Sequence, residues 1–359
     1  MSKARGLADL GNAYSDGALS NRNLIINGAM QVAQRGTSFT DLGTAPTYTL
    51  DRWRFADSAN PPARYTATQS SDAPSGFASS LKYEVTTEDA AVDADEIQNV
   101  DYFIEAQDLQ QLDYGSSGAK DITLSFWVKC SVAQNFGFRI QHEDGGGGYT
   151  KSYAVNSANT WEYKTLTFSG NTATNFANDN GRGFRLRWGL IAGTDYTGSD
   201  STAWGNGDVF GLQENTWVAT LGATWQITGV QLEVGDTATP FEHRSYGDEL
   251  SRCQRYYEWG IASGSGYGQI SAIFDAGSTS NINFKATKRA VPTMTNMTLS
   301  ANAYPNNQNV AVPRYEGGYA RNFRYTSENS TTFWNVVTGN GGTTGIAGHQ
   351  IVWNAEAEL

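Results

Sequence analysis

The sequence predicts an all-β protein: a β-sandwich, then a short helix, then a smaller C-terminal β domain. Three observations carry this. Short segments alternate apolar and polar residues, which a strand with one buried face requires. Between them stand turn formers, including 39 glycines among many Asn, Ser and Thr. Ten Trp, 18 Tyr and 16 Phe favour strands over long helices.

The first 20 residues are small and polar and read as an N-terminal arm that is either disordered or ordered only against a partner. Residues 21–240 read as the main sandwich. Leu24, Ile25 and Ile26 form an apolar run closed by the turn signal Asn27-Gly28. LDRWRFA at 50–56 is a strand candidate, and Leu81, Tyr83 and Val85 mark another. DITLSFWVK at 121–129 is the clearest strand. Ile122, Leu124, Phe126 and Val128 share one face, and Thr123, Ser125, Trp127 and Lys129 share the other. Phe136, Phe138 and Ile140 repeat the pattern, as do Leu166 and Phe168. In FRLRWGL at 184–190, Phe184, Leu186, Trp188 and Leu190 oppose Arg185, Arg187 and Gly189. TWQITGVQLEV at 224–234 changes phase at Gly229, where a bulge would reconcile Ile227 with Val230, Leu232 and Val234.

Residues 241–259 read as a helical connector. Helical spacing spans 245–258, with Ser245 and Asp248 as a capping pair and Gly260 as the stop. Leu250, Cys253 and Tyr257 fall on one helix face, and with Tyr256 and Trp259 they are candidates for domain or subunit contact. Residues 260–359 return to β patterning: Ile270, Ala272, Phe274; Ile282, Phe284, Ala286; and Val336, Ile351 and Trp353. Asn- or Gly-rich loops occupy 300–309 and 338–348.

The net charge of −11 disfavours nucleic acid and anionic membranes as partners. No stretch approaches the roughly 20 apolar residues of a membrane helix. Residues 1–10 lack the apolar core of a signal peptide, so a chain made in a cytoplasm is expected. Cys130 and Cys253 read as unpaired small hydrophobes, with a single disulfide as the alternative.

Several segments carry a resemblance. NRNLIINGAMQVAQRGTSFT at 21–40 with YTLDRWRF at 48–55 resembles the opening of a domain common in phage tail and tail-fibre proteins. ITLSFWVKC at 122–130 is similar to its central strand, and ITGVQLEVGDTATPFEHRSYGDELSRCQRYYE at 227–258 to its close. FKATKRAVPTMT at 284–295 and WNAEAEL at 353–359 resemble an appended C-terminal module. The resemblance implies a jelly-roll sandwich similar to carbohydrate-binding modules, in a homotrimeric virion protein made in the host cytoplasm. Residues 1–20 would attach to other virion proteins, and distal parts would meet a host surface glycan or protein. It assigns no sugar-binding residue, and it leaves a tail fibre, an architectural adaptor, a head fibre and a decoration protein open.

Sugar recognition needs flat apolar rings beside orienting polar groups. Trp127, Arg185 and Arg187 point away from their apolar rows and, if they share one outer face, would line a shallow groove; a face covered by a loop or subunit is the alternative. Trp204, in a Gly-rich loop, reads either as a contact residue or as packing over the sandwich end. Tyr304, Tyr315, Tyr319 and Trp334 are the C-terminal candidates for host contact, with core and rim packing as the alternative. The stretch 84–113 holds ten acids and no Lys or Arg, and reads as a solvated face with loop; a structural calcium ion is the alternative, without a calcium-loop motif. No catalytic residue, cofactor or metal site is indicated. There is no GxSxG elbow, HEDGG at 142–146 lacks a second zincin histidine, and Gly145–Gly148 reads as a mobile loop or tight hairpin without a Walker lysine. Ser38, Ser125, His142, His243 and His349 make no hydrolase constellation. Binding without catalysis is therefore expected, with polysaccharide cleavage by two carboxylates the third reading.

Overall fold

A computed structural model describes residues 21–58, 61–205, 210–263, 279–301, 322–326, 330–334 and 349–359. The chain forms two compact units, one running through Glu249 and including Leu359, the other Leu250–Glu358.

The first unit is a jelly-roll sandwich of two antiparallel sheets. One orders its strands β1 (Ser38–Leu42), β4 (Arg64–Ser70), β5 (Ser80–Thr87), β12 (Thr224–Val234), β7 (Ile122–Cys130), β10 (Glu162–Phe168). The other orders β2 (Thr47–Tyr48), β3 (Arg54–Ser58), β6 (Ile97–Glu105), β11 (Arg182–Ala192), β8 (Gln134–His142), β9 (Gly147–Val155). From β5 onward the chain repeatedly crosses between the sheets, so each sheet hides its apolar face against the other. The alternating rows meet in that core: Ile122, Leu124, Phe126 and Val128 of β7 and Phe184, Leu186, Trp188 and Leu190 of β11 have no exposed surface. Burying each such side chain stabilises the sandwich by roughly 1.5–3 kcal/mol.

The bulge expected in β12 is present. Its register against β7 shifts between Thr228 and Gln231, which returns both Ile227 and Val230 to the core. Gly229 there adopts φ 61°, and a Cβ on it would stand 2.6 Å from the Phe77 ring, so a side chain at this position would be strained and would displace that ring.

The apolar run at 24–26 is not a strand, and the strand candidate at 50–56 is only partly one. The Leu24 N–H still donates to the Leu232 carbonyl at 2.9 Å. In 50–56 the strand begins only at Arg54. The Trp53 N–H donates to the Leu50 carbonyl at 2.9 Å and Arg52 takes φ 75°, a tight turn. Leu50 and Trp53 are both buried three residues apart, a spacing that period two cannot satisfy.

The helix α1 spans Tyr246–Gln254, shorter than the expected 245–258, and the unit boundary falls within it. Its capping is as read: the Ser245 hydroxyl accepts from the Asp248 N–H at 3.2 Å and donates to the Asp248 carboxylate at 2.7 Å. The helix stops because Tyr257 opens strand β13 (Tyr257–Ser263), whose backbone pairs with β18 (His349–Glu356). Gly260 therefore lies inside a strand and is no stop signal, and Tyr257 does not share the helix face of Leu250 and Cys253.

Among its described residues the second unit holds two three-stranded sheets, β13–β18–β15 (Thr293–Ala301) and β14 (Thr279–Asn283)–β17 (Ser330–Trp334)–β16 (Asn322–Thr326). Strand β14 ends at Asn283, so Phe284 and Ala286 do not continue it as expected. Ile270, Ala272, Phe274 and Val336 lie outside the described residues, as do residues 1–20. Lys288 Nζ meets the Glu258 carboxylate at 2.6 Å, both side chains almost wholly sealed from water. Among the described residues no helix is long and apolar enough to cross a membrane.

Candidate functional site

Trp127 stands half-buried on the outer face of its sheet, opposite Tyr163 of β10. Their ring centroids lie 5.3 Å apart at 52°, and Tyr163 is 44% exposed. Strand β10 is an edge strand, and WEYKTLTF sets Trp161, Tyr163, Thr165 and Thr167 on the same outer side while Leu166 and Phe168 turn inward. Trp161, also half-buried, receives the Lys129 ammonium over its ring at 5.4 Å. Three rings thus follow the rim of one sheet face.

A polar group organises the same rim. Asp72, in the turn after β4, accepts from Trp161 Nε1 at 3.1 Å and Gln226 Nε2 at 3.3 Å, and pairs with the Lys129 ammonium. Burial alone would raise the Asp72 carboxyl; the hydrogen bonds from Lys129 and Trp161 outweigh it and hold the pKa below its ordinary value. The other lysine of this face, Lys82, pairs with Glu84 at 2.9 Å. Flat apolar rings therefore adjoin an oriented donor–acceptor pair, the chemistry that holds a sugar. Sequence reading found Trp127 alone. The alternation of WEYKTLTF was the signal for Trp161 and Tyr163; Asp72 had none, because only folding brings its turn over β7 and β10.

The structure separates Trp127 from Arg185 and Arg187, which correct the expected shared groove. Strands β7 and β11 belong to different sheets, so their outward rows lie on opposite outer faces. Arg185 and Arg187 instead surround a sealed carboxylate. A cross-strand row runs Arg54, Asp101, Arg187, Arg139 over β3, β6, β11 and β8. Asp101 has no exposed surface, and it accepts from Arg185 Nε at 3.2 Å and Nη2 at 2.9 Å. Arg187 Nε lies 3.8 Å from it and Arg54 Nη1 3.9 Å. Phe103 is covered by the guanidinium of Arg182 at 4.3 Å and those of Arg54 and Arg185 at 5.7 Å each. The following segment adds further cover: Gly137 and Gly189 leave room for Phe210 and Gln213, and the Gly137 N–H donates to Gln213 Oε1 at 2.7 Å. This face is built as packing, not as an open groove.

Trp204 is likewise placed as packing at the sandwich end. Its ring stacks on Phe184 at 5.8 Å and 3°, and its Nε1–H donates to the Ser169 carbonyl at 2.6 Å. His142 belongs to the same cluster, stacked on Phe176 at 3.9 Å. A carbonyl only accepts, so His142 Nε2 carries the proton donated to Thr174 O at 3.2 Å, and Nδ1 has no partner among the described residues. Burial lowers the imidazole pKa below 6.5; the Thr174 bond and the Asp144 charge oppose this without cancelling it. Below about pH 6.5 the unfolded chain therefore takes up a proton that the folded chain refuses, and stability falls with pH. His142→Phe is expected to flatten this part of the profile, measured as urea midpoints of both proteins from about pH 7.5 to 5. An unchanged slope would show that His142 does not set it.

The acidic stretch 84–113 is not simply a solvated face. Glu88, Asp93, Asp95, Asp108 and Asp113 are exposed, but Asp89, Glu96, Asp101 and Glu105 are buried. Among the described residues no group of three or more His, Cys, Asp or Glu is arranged to hold a metal ion. Gly145 and Gly147 take positive φ in a tight β8–β9 hairpin closed by His142 opposite Gly147. Cys130 and Cys253 are both buried and not joined by a disulfide, and burial pushes the Cys130 thiol up to about 12.

In the second unit, Tyr304, Tyr315 and Tyr319 lie outside the described residues. Trp334 ends β17, in register with Thr279 and Asn322. Of the expected contact residues, Cys253, Tyr256 and Tyr257 are buried, Leu250 is half-buried and Trp259 is exposed.

No family model matches this chain, and no curated protein matches it. Solved structures resemble it weakly. The enzymatically active domain of bacteriophage CBA120 tailspike protein 4 is similar over 59% of this chain and 21% of its own, with TM-score 0.32 and 13% identity. This chain thus spans only a minor part of that tailspike protein's length. TmCBM61 in complex with β-1,4-galactotriose is similar over 60% of this chain and 99% of its own, with TM-score 0.30 and 10% identity. A family 11 carbohydrate-binding module from Clostridium thermocellum, in complex with a β-1,3-1,4-mixed-linked tetrasaccharide, covers 58% of this chain and 97% of its own, with TM-score 0.28 and 12% identity. Likeness at this level does not extend to function.

Proposed function

We propose that this chain is a non-catalytic structural and host-recognition component of a phage virion, a tail fibre in its best-fitting form, that binds a host surface glycan through its sandwich. The virion role is supported by the resemblance of residues 21–55 and 227–258 to phage tail proteins. The glycan role is carried by one observation: the half-buried Trp127 paired with the exposed Tyr163, beside Trp161 and the Asp72–Lys129 pair. Ring faces take the apolar face of a sugar out of water, and the polar pair orients its hydroxyls. A homotrimer, also implied by the resemblance, would turn weak single contacts into firm attachment through effective concentration.

The test is binding of the assembled protein to intact host cells and to their extracted glycans. Trp127→Ala with Tyr163→Ala is expected to weaken binding at least about tenfold, since two stacked rings contribute more than about 1.4 kcal/mol. No reducing ends should appear. Unchanged binding by the double variant would sink the assignment of this face, and absence of any glycan binding would leave the purely architectural reading.

A further inference from the structure

We infer that the rim of Trp127, Trp161 and Tyr163 takes an uncharged, extended glycan of at least two sugar units lying along edge strand β10, with Asp72 and Lys129 reading its hydroxyls. This step rests on the reading above and narrows it to a ligand class.

Two features set the class. The first is length. Trp161 immediately precedes β10 and Tyr163 is its second residue, a two-residue step of about 6.6–6.8 Å at strand rise. That separation suits rings under successive pyranoses of an extended chain, whereas one sugar covers only one ring. Trp127, across from Tyr163, widens the platform at that end. The second feature is charge. Both lysines of this outer face are neutralised locally, Lys129 by Asp72 and Lys82 by Glu84 at 2.9 Å. A carboxylated or sulfated sugar would have to break the Lys129–Asp72 pair and sit against the Asp72 carboxylate, which is half-exposed and anchored by Trp161 Nε1 and Gln226 Nε2. Like charge at that distance is rejected, whereas neighbouring hydroxyls satisfy a carboxylate acceptor and an ammonium donor together.

The experiment is calorimetric titration of the full chain with neutral mono-, di- and tetrasaccharides of β-linked hexoses, and with uronate counterparts of equal length. A neutral tetrasaccharide is expected to bind at least about tenfold more tightly than the monosaccharide, with affinity nearly unchanged from ~50 to ~500 mM NaCl. Asp72→Asn and Lys129→Met should each cost about tenfold on the neutral ligand while keeping the wild-type unfolding midpoint. Lys129→Gln serves as the control should the Met variant prove less stable. Tighter binding of the uronate, equal affinity for the monosaccharide, or no neutral binding would overturn the inference. If host-cell binding still depended on Trp127 and Tyr163, glycan recognition at this face would stand without it. Loss of that dependence would remove both.

Discussion

Replacing Asp101 by alanine is expected to destabilise the sandwich by about 3–5 kcal/mol, the range for breaking a buried ion pair from one side. Its carboxylate is wholly sealed and is the common acceptor for Arg185, with Arg187 and Arg54 within 4 Å. Without it, guanidiniums from β3 and β11, the two strands flanking β6, face one another in a poorly solvated layer, with Arg139 of β8 across from Arg187. Asp101→Asn should cost less, because an amide oxygen still accepts from Arg185. Arg185→Met should cost about 1 kcal/mol or less, since that side chain is 23% exposed and its loss leaves the carboxylate two other cations. Urea midpoints followed by tryptophan fluorescence measure the series. A loss below about 1 kcal/mol for the alanine variant would mean the cluster relaxes into solvent.

Trp188→Ala is expected to cost a further distinct 3–5 kcal/mol or so, through a cavity at the centre of the core. The ring is fully buried and touches Trp53 at 5.4 Å, Phe138 at 5.0 Å and Phe126 at 6.1 Å between centroids. Trp188→Phe should behave differently. The indole Nε1–H has no acceptor among the described residues, so phenylalanine removes an unsatisfied donor as well as some volume. The two effects oppose, and a net loss below about 1.5 kcal/mol is expected. Thermal or urea unfolding of both variants decides this. If phenylalanine cost as much as alanine, the unsatisfied donor would not be contributing.

Reading strands from sequence succeeded where one face is apolar throughout. The rows of β7 and β11 are the two sides of the observed core, and Gly229 marks a real bulge because a phase change in an alternating strand has few other solutions. It failed where side chains are buried without alternation, as at Leu50 and Trp53. It failed too where a helix-compatible stretch had a better partner, as at Tyr257, whose backbone joins β18. The ten acids show a related failure. Composition marks them as hydrophilic, yet Asp101 is sealed because arginines from β3 and β11 reach it.

The candidate site divides in the same way. Period two alone states that Trp127, Arg185 and Arg187 point away from their own rows, and that Trp161 and Tyr163 do likewise. Alternation is a local property of the backbone, so it survives in the sequence as side-chain type. Which outward residues are neighbours is not local. It depends on which sheet each strand joins, and the crossing from layer to layer sends β7 and β11 to opposite faces. The sequence by itself therefore determined a two-layered β-protein with outward-pointing rings and arginines. Tertiary structure decided that the arginines would be spent on a buried carboxylate, and that Asp72, 57 residues before Lys129, would turn three rings into a surface with a polar reader.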